Sequence, residues 1–175
     1  MIRLFLGDAF KFDYRTNIGQ VDFIFSSPPF FLKDSKFNFA YTGKEHYGKL
    51  FNLISKIIKQ LKVKRALIHC GEDLFVLMKK KEERIIKHKA NIVIPEKGGW
   101  KVIDKEDVKE LLGRYAPPVY DSILDPFCGI GSLLLESKKL GTKNVYGIDQ
   151  SKDQLGIAVS KIKELGYSAM VEGGI

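Results

Sequence analysis

The sequence contains only two cysteines, no internal repeat, and no apolar run near the roughly 18 residues that a membrane span requires. Cys70 and Cys128 form no Cys-x-x-Cys pair, so neither a zinc site nor a redox motif is indicated. We therefore expect no metal and two lone buried thiols. Asp8 is an acidic residue too close to the start for a signal peptide. These absences favour a cytoplasmic protein without a membrane anchor.

The composition is that of an ordinary globular protein with an excess of basic residues. The hydrophobic fraction is 45% and the charged fraction 29%, and a chain of 175 residues suits one domain over 1–175, with no linker evident. Lysine and arginine number 29 against 21 acidic residues, which gives a formal charge of +8. This balance favours a polyanionic partner such as nucleic acid, although a lysine-rich surface also serves solubility.

Short apolar runs alternate with helical patterns along the chain. This order predicts an α/β fold with a mostly parallel, twisted sheet flanked by helices. The predicted strands span 2–6, 21–25, 65–70, 91–95, 100–103, 122–124, 144–148 and, weakly, 168–172. The predicted helices span 46–61, 104–115, 131–140 and 151–165. We expect Asp104 and Ser151 to cap the second and fourth helices and Gly141 to end the third.

Polar residues directly follow four of the predicted strands. Asp8 follows the first strand, residues 26–30 the second, Asp125 the sixth and Asp149 the seventh. Open α/β sheets bind ligands at the carboxyl ends of their strands. We therefore expect these four groups to converge on one crevice, although they are far apart in sequence.

The segment Asp125-Pro126-Phe127-Cys128-Gly129-Ile130-Gly131-Ser132 joins a predicted strand to a predicted helix. Gly129 and Gly131 allow tight turns and a close approach of a ligand. The helix aims its positive end at the same place, which favours a carboxylate or phosphate. Asp149 stands 24 residues after Asp125 and can accept hydrogen bonds from both hydroxyls of a ribose. These features indicate a ligand that contains a nucleoside.

Two common nucleotide motifs do not fit this segment. The dinucleotide fingerprint needs a third glycine at position 134, where the chain has Leu134. A P-loop before Gly43-Lys44 needs a glycine where the chain has Asn38. In each of the two motifs, this chain therefore lacks a glycine that the motif requires.

The pattern that remains resembles the S-adenosylmethionine motif of methyltransferases, in which Asp-Pro-Phe-x-Gly-x-Gly is typical. The resemblance implies that S-adenosylmethionine is the cofactor. It implies that Asp125, Gly129 and Gly131 surround the methionine portion. It also implies that Phe127 packs near the adenine and that Asp149 holds the ribose.

A second motif, Ser27-Pro28-Pro29-Phe30, follows an apolar strand. A residue before proline is held extended and proline has no N–H, so this turn is stiff and presents carbonyl and hydroxyl acceptors. Acceptors that take both hydrogens of an aromatic amine release its lone pair for attack, and orientation then supplies much of the rate. Phe30 can stack on a base that has left the duplex. By contrast, Ala116-Pro117-Pro118-Val119 has no adjacent aromatic residue and is interpreted as a plain connector.

This turn resembles the Asp/Asn/Ser-Pro-Pro-Tyr/Phe/Trp motif of amino-methyltransferases that act on adenine or cytosine. The resemblance implies that Ser27 and the carbonyl of Pro28 bind the amino group and that Phe30 stacks on the base. Serine in first position is commoner among the cytosine-N4 enzymes, so the resemblance favours cytosine-N4 over adenine-N6.

The catalytic motif precedes the cofactor motif by about 100 residues. This permuted order resembles the beta group of DNA amino-methyltransferases, whose opening strand commonly ends in Gly-Asp, as at Gly7-Asp8. The resemblance implies a Rossmann-like methyltransferase fold in permuted order, with Asp8 on the amino group of the cofactor adenine. It further implies duplex DNA with a flipped base as the partner, and a place in restriction–modification.

Most members of that group carry a target-recognition region, for which this chain has no evident room. Candidate substitutes are the loop 31–46 and the stretch 79–89, whose six basic and two acidic residues are interpreted as a solvated helix face. A homodimer or a separate specificity subunit would otherwise supply recognition. A cofactor-binding subunit and an RNA base methyltransferase therefore stay open, whereas a cytosine-C5 enzyme is disfavoured because neither cysteine follows a proline.

Overall fold

The computed structural model of the chain describes residues 1–28, 43–70, 73–78, 84–87, 92–93, 102–103 and 105–173. The strands among these residues are β1 (Ile2–Leu6), β2 (Phe23–Ser26), β3 (Arg65–Cys70), β4 (Asp73–Met78), β5 (Arg84–Lys87), β6 (Ile92–Val93), β7 (Val102–Ile103), β8 (Ser122–Asp125), β9 (Asn144–Asp149) and β10 (Ala169–Glu172). The helices are α1 (Tyr14–Asn17), α2 (Gly43–Leu61), α3 (Lys105–Tyr115), α4 (Ser132–Lys139) and α5 (Lys152–Glu164).

Within the described ranges, eight strands form one sheet in the order β10-β1-β9-β8-β2-β3-β4-β5, and β6 pairs with β7 separately. The six strands from β10 to β3 are parallel to their neighbours. β4 and β5 extend the edge in antiparallel fashion. The mostly parallel sheet predicted from the sequence is therefore confirmed.

Helices cover both faces of this sheet, because alternate residues of its parallel strands point to opposite sides. Phe23, Phe25 and Ile123 pack with α3, α4 and α5 on one face. Ile24 and Leu124 pack with α1 and α2 on the other. The buried residues of α2 recur at helical spacing, which is the reason that it lies on the sheet: Leu50, Leu53, Ile54, Ile57, Ile58 and Leu61.

Every predicted strand and helix has an observed counterpart, whereas α1, β4 and β5 were not predicted. Ser151 caps α5 by accepting a hydrogen bond from the backbone of Gln154, and Gly141 follows the end of α4 with a φ of +95°, as expected. Asp104, the proposed cap of α3, lies outside the described residues. No helix of the described ranges is long and apolar enough to cross a membrane.

One interpretation was wrong. The stretch 79–89 was expected to be a solvated helix face, but Arg84–Lys87 is strand β5, which pairs with β4. Backbone pairing at the sheet edge overrides the helical preference of a lysine-rich sequence. The expected loop 31–46 overlaps α2, which begins at Gly43, and residues 31–42 lie outside the described part.

Gly147, in the middle of β9, allows the close contact between the sheet and the segment that follows β8. A Cβ atom there would lie 2.5 Å from Cδ1 of Leu134 and 2.8 Å from Sγ of Cys128. We expect Gly147→Ala to lower the free energy of unfolding by about 1–3 kcal/mol through overpacking, measured by urea unfolding. Gly156→Ala in α5 is the matched control, because nothing lies within 4 Å of its Cβ. It should stabilise the chain by about 0.5–1 kcal/mol, so a Gly147→Ala protein as stable as the wild type would contradict the packing.

Candidate active site

The sheet reverses its winding direction between β8 and β2. From β8 the chain passes through α4 to β9 on one side, and from β2 it passes through α2 to β3 on the other. β8 and β2 are parallel neighbours, so the segments that leave them emerge side by side at the same edge. Open α/β sheets bind ligands at such a point.

A buried hydrogen bond joins these two segments. The hydroxyl of Ser26 donates to Oδ1 of Asp125 at 2.5 Å, across 99 residues of sequence. Ser26 is fully buried and Asp125 is 2% exposed. The same Oδ1 accepts a hydrogen bond from the backbone N–H of Phe127 at 3.0 Å. The Asp125 carboxylate therefore fixes both the segment after β8 and the turn after β2.

The segment from Asp125 to α4 folds as a tight glycine turn. Gly129 and Gly131 have φ angles of +51° and +76°, which residues other than glycine rarely adopt. A Cβ on Gly129 would lie 2.7 Å from Oε1 of Gln154, and one on Gly131 would lie 3.1 Å from Cβ of Ala158. Both glycines are therefore required by the backbone and by its packing on α5.

Asp149, at the end of β9, connects this turn to α5. Its Oδ2 accepts a hydrogen bond from the N–H of Gly129 at 2.9 Å, and its Oδ1 accepts one from the N–H of Ser151 at 2.8 Å. Each carboxylate oxygen has a second lone pair. The half-buried carboxylate thus has acceptor capacity left for a ligand.

Asp8 follows β1, the neighbour of β9, and the N–H of Gly7 donates to the carbonyl of Asp149 at 2.9 Å. Oδ1 of Asp8 accepts a hydrogen bond from the N–H of Phe10 at 2.9 Å. The ring of Phe10 meets that of Phe127 edge to face, with the centroids 6.0 Å apart. Both rings are half-buried, so an apolar surface lies between Asp8 and the glycine turn.

Burial disfavours the ionised forms of the Asp125 and Asp149 carboxylates. The pKa of Asp125 is raised to about 7, chiefly by burial and also by the nearby Asp149, whereas the hydrogen bonds from Ser26 and Phe127 lower it. Burial also raises the pKa of Asp149. The buried thiol of Cys128, which is free, has its pKa raised by burial and by both acids. A cationic ligand group would relieve this repulsion.

On the other side of Asp125, the turn after β2 presents Ser27 and Pro28. Ser27 is half-buried and Pro28 buried. The hydroxyl oxygen of Ser27 lies 3.4 Å from Nδ1 of His69, the next-to-last residue of β3. Pro29 and Phe30 lie outside the described residues.

The described part of the predicted site therefore meets at one edge of the sheet. It comprises Asp8, Ser27, Pro28, Asp125, Pro126, Phe127, Gly129, Gly131 and Asp149. Sequence reasoning placed Ser26 in this crevice without giving it a role, and it missed His69 and Phe10 as members of the site. His69 had a usable signal, because it is a polar residue near the carboxyl end of a strand that follows the Ser27 turn and α2 in the chain.

Comparison with solved structures gives matches over almost the whole chain. TTHA0409 from Thermus thermophilus, provisionally named a DNA modification methylase, matches with 15% identity and a TM-score of 0.60, covering 99% of this chain and 100% of that one. The same protein complexed with S-adenosyl-L-methionine matches with 14% identity and a TM-score of 0.59, over 99% and 100% of the two chains. M1.HpyAVI matches with 18% identity and a TM-score of 0.57, covering 93% and 99%.

No family model matches the chain, and the comparison with curated proteins finds no match either. At these identities the structural matches establish the fold. The chain has the Rossmann-like α/β fold that these structures share, in agreement with the fold predicted from the sequence.

Proposed function

We propose that this chain transfers a methyl group from S-adenosylmethionine to an exocyclic amino group of a DNA base, with cytosine-N4 favoured over adenine-N6. The observation that carries the proposal is the hydrogen bond from Ser26 to Asp125. It holds the segment suited to the methyl donor against the turn suited to the amino acceptor. A donor and an acceptor bound there would lie next to each other, which is what a direct transfer needs.

The residues around the glycine turn fit S-adenosylmethionine chemically. Burial raises the pKa values of the Asp125 and Asp149 carboxylates, and repulsion from Asp149 adds to the rise at Asp125. The cofactor carries cationic groups, which would stabilise the ionised carboxylates. Asp125 would meet the methionine portion together with Gly129 and Gly131. Asp149 would hold the ribose, and Asp8 the adenine amino group beside the ring of Phe127. When bound, the cofactor supplies a methyl group already activated on a sulfonium centre.

The turn after β2 supplies what the acceptor requires. The hydroxyl oxygen of Ser27 and the carbonyl of Pro28 would accept the two hydrogens of the base amino group, so that its lone pair is released from the ring. Phe30 would stack on the flipped base, an extrusion that costs a few kcal/mol. No covalent intermediate with the protein is needed, in agreement with the burial and raised pKa of Cys128.

DNA is favoured as the substrate by the charge of +8 and by the provisional name of TTHA0409. In the chain the Ser27 turn precedes the Asp125 segment. We propose that this order is the permuted order of the beta group. We propose that residues 1–175 act as one catalytic domain in the cytoplasm, in restriction–modification. Recognition of the target would come from a second copy or from a specificity subunit.

The direct test incubates the purified chain with labelled S-adenosylmethionine and unmethylated duplex DNA, followed by mass analysis of the nucleosides. We expect N4-methylcytosine, and a loss of product with Phe30→Ala. Val119→Ala is the matched control. Val119 follows the proline pair of the connector as Phe30 follows that of the catalytic motif, and it is 75% exposed. Methylation of structured RNA but not of DNA would overturn the DNA assignment. Product that appears only with a second protein would identify a subunit that depends on a specificity partner.

A further inference from the structure

We infer that His69 is a positioning residue that directs the hydroxyl hydrogen of Ser27, an inference that rests on the proposed function. Nδ1 of His69 lies 3.4 Å from the Ser27 oxygen. His69 is 1% exposed, whereas Ser27 is half-buried. The imidazole therefore stands behind the serine and does not reach the substrate itself.

The backbone fixes this arrangement. β2 and β3 are parallel, with Ser26 paired to Ile68, so that Ser27 and His69 are the next residues of the two neighbouring strands. Ser27 precedes Pro28, and a residue before proline has restricted dihedral angles. Both partners are thus attached to rigid backbone at the edge of the sheet where the site lies.

The direction of the hydrogen decides whether Ser27 can do its proposed work. A serine hydroxyl has one hydrogen and two lone pairs. If the hydrogen points to Nδ1 of His69, the lone pairs face the substrate amino group and accept its hydrogens. If instead Nδ1 carries a hydrogen and donates it to Ser27, the hydroxyl hydrogen points to the substrate and opposes another donor. The productive form of His69 therefore carries its hydrogen on Nε2.

A distance of 3.4 Å is long for this type of hydrogen bond, and such contacts often tighten only when the substrate is bound. The contribution that we expect is that of one positioned hydrogen bond. Its loss should lower kcat about tenfold, with the KM for DNA and for the cofactor unchanged within about threefold. Substitution of a residue needed only for folding would not lower kcat while leaving both KM values unchanged.

The kinetic test is a double-mutant cycle with Ser27→Ala, His69→Phe and the double variant. Phenylalanine keeps the volume of the buried ring and removes Nδ1. If His69 acts through Ser27, the double variant should be no slower than Ser27→Ala alone. Losses that multiply would overturn the inference. His69→Asn, which keeps an acceptor near the position of Nδ1, should recover kcat to within about threefold of the wild type.

A second readout does not depend on activity. Long-range proton–nitrogen NMR of the chain at about pH 8, where an unperturbed imidazole is neutral, should show His69 with the hydrogen on Nε2. The signals are assigned by their loss in His69→Asn, and the Nδ1 resonance should shift in Ser27→Ala. A hydrogen on Nδ1 would overturn the inference.

Two controls separate the outcomes. Leu67→Val alters the same face of β3 without touching Ser27, so it should lower the unfolding midpoint while leaving kcat of the folded protein unchanged. A wild-type chain that methylates neither DNA nor RNA would overturn the proposed function. An active wild type whose cycle is multiplicative would overturn only the role of His69.

Discussion

Asp125→Asn should lower the affinity for S-adenosylmethionine about 100-fold while the chain stays folded. Asparagine keeps an oxygen that can accept the hydrogen bonds from Ser26 and from the N–H of Phe127, so the two segments stay joined. What is lost is the negative charge beside the proposed site of the methionine portion. A hydrogen bond to a charged group contributes about 1.5–3 kcal/mol, and about 100-fold lies near the upper end of that range.

The pH dependence of cofactor binding gives this prediction a second component. With a pKa of about 7, Asp125 is only partly ionised near neutrality. Because a cationic ligand selects the ionised form, the affinity of the wild type should rise as the pH rises through about 7. In Asp125→Asn this part of the rise should disappear. Calorimetric titration from about pH 6 to pH 8 measures both quantities.

The free energy of unfolding should fall as the pH rises, whereas the affinity for the cofactor rises. The pKa of Asp125 is raised in the folded chain above its ordinary value of 3.8, so the folded state holds the proton more tightly than the unfolded state. The stability that Asp125 contributes is therefore complete below about pH 4 and is lost as the pH rises through about 7. Urea unfolding of Asp125→Asn should lack this decline. Equal pH profiles of binding and unfolding in the two proteins would contradict the assignment.

The positions of Asp8, Ser27, Asp125 and Asp149 at one edge could be predicted because each follows an apolar run directly. In a parallel sheet all carboxyl ends lie on the same side, so the strand boundaries alone place these residues together. The glycine turn was predictable for a related reason, since Gly129 and Gly131 have the positive φ angles that their residue type permits.

The contacts that organise the site could not be predicted in the same way. The hydrogen bond between Ser26 and Asp125 depends on the strand order, which places β2 beside β8 across 99 residues. Likewise, the local pattern places His69 near the carboxyl end of an apolar strand, but the register of β2 with β3 is what brings it to Ser27. Strand order and register are tertiary properties, so local patterns constrain them weakly.

The antiparallel edge was missed for a different reason. Asp73–Met78 is a short apolar run without alternation, and such runs do not distinguish strand from helix. The sequence did contain a hairpin signal, because Gly71 is the first of two residues between β3 and β4. The lysine-rich residues that follow favoured a helix in the prediction, so the hairpin was not recognised.

Ser27→Ala should lower kcat about 100-fold and leave the affinity for the cofactor unchanged. Ser27 accepts a hydrogen of the amino group in the proposed reaction, and removing one positioned hydrogen-bonding group from a transition state commonly costs about 100-fold or more. Its neighbour Ser26 faces the other way, towards Asp125. Two adjacent serines should therefore affect two different steps.

Ser26→Ala is the matched control for this prediction. The Ser26 hydroxyl lowers the pKa of Asp125, so its removal raises that pKa and leaves less of the carboxylate ionised at about pH 7. The affinity for the cofactor should then fall, and kcat at saturating cofactor should stay within about threefold of the wild type. Single-turnover methylation and calorimetric titration of both variants measure the two effects separately. If both variants lost kcat and affinity to the same degree, the division of the site at Asp125 into a donor side and an acceptor side would be wrong.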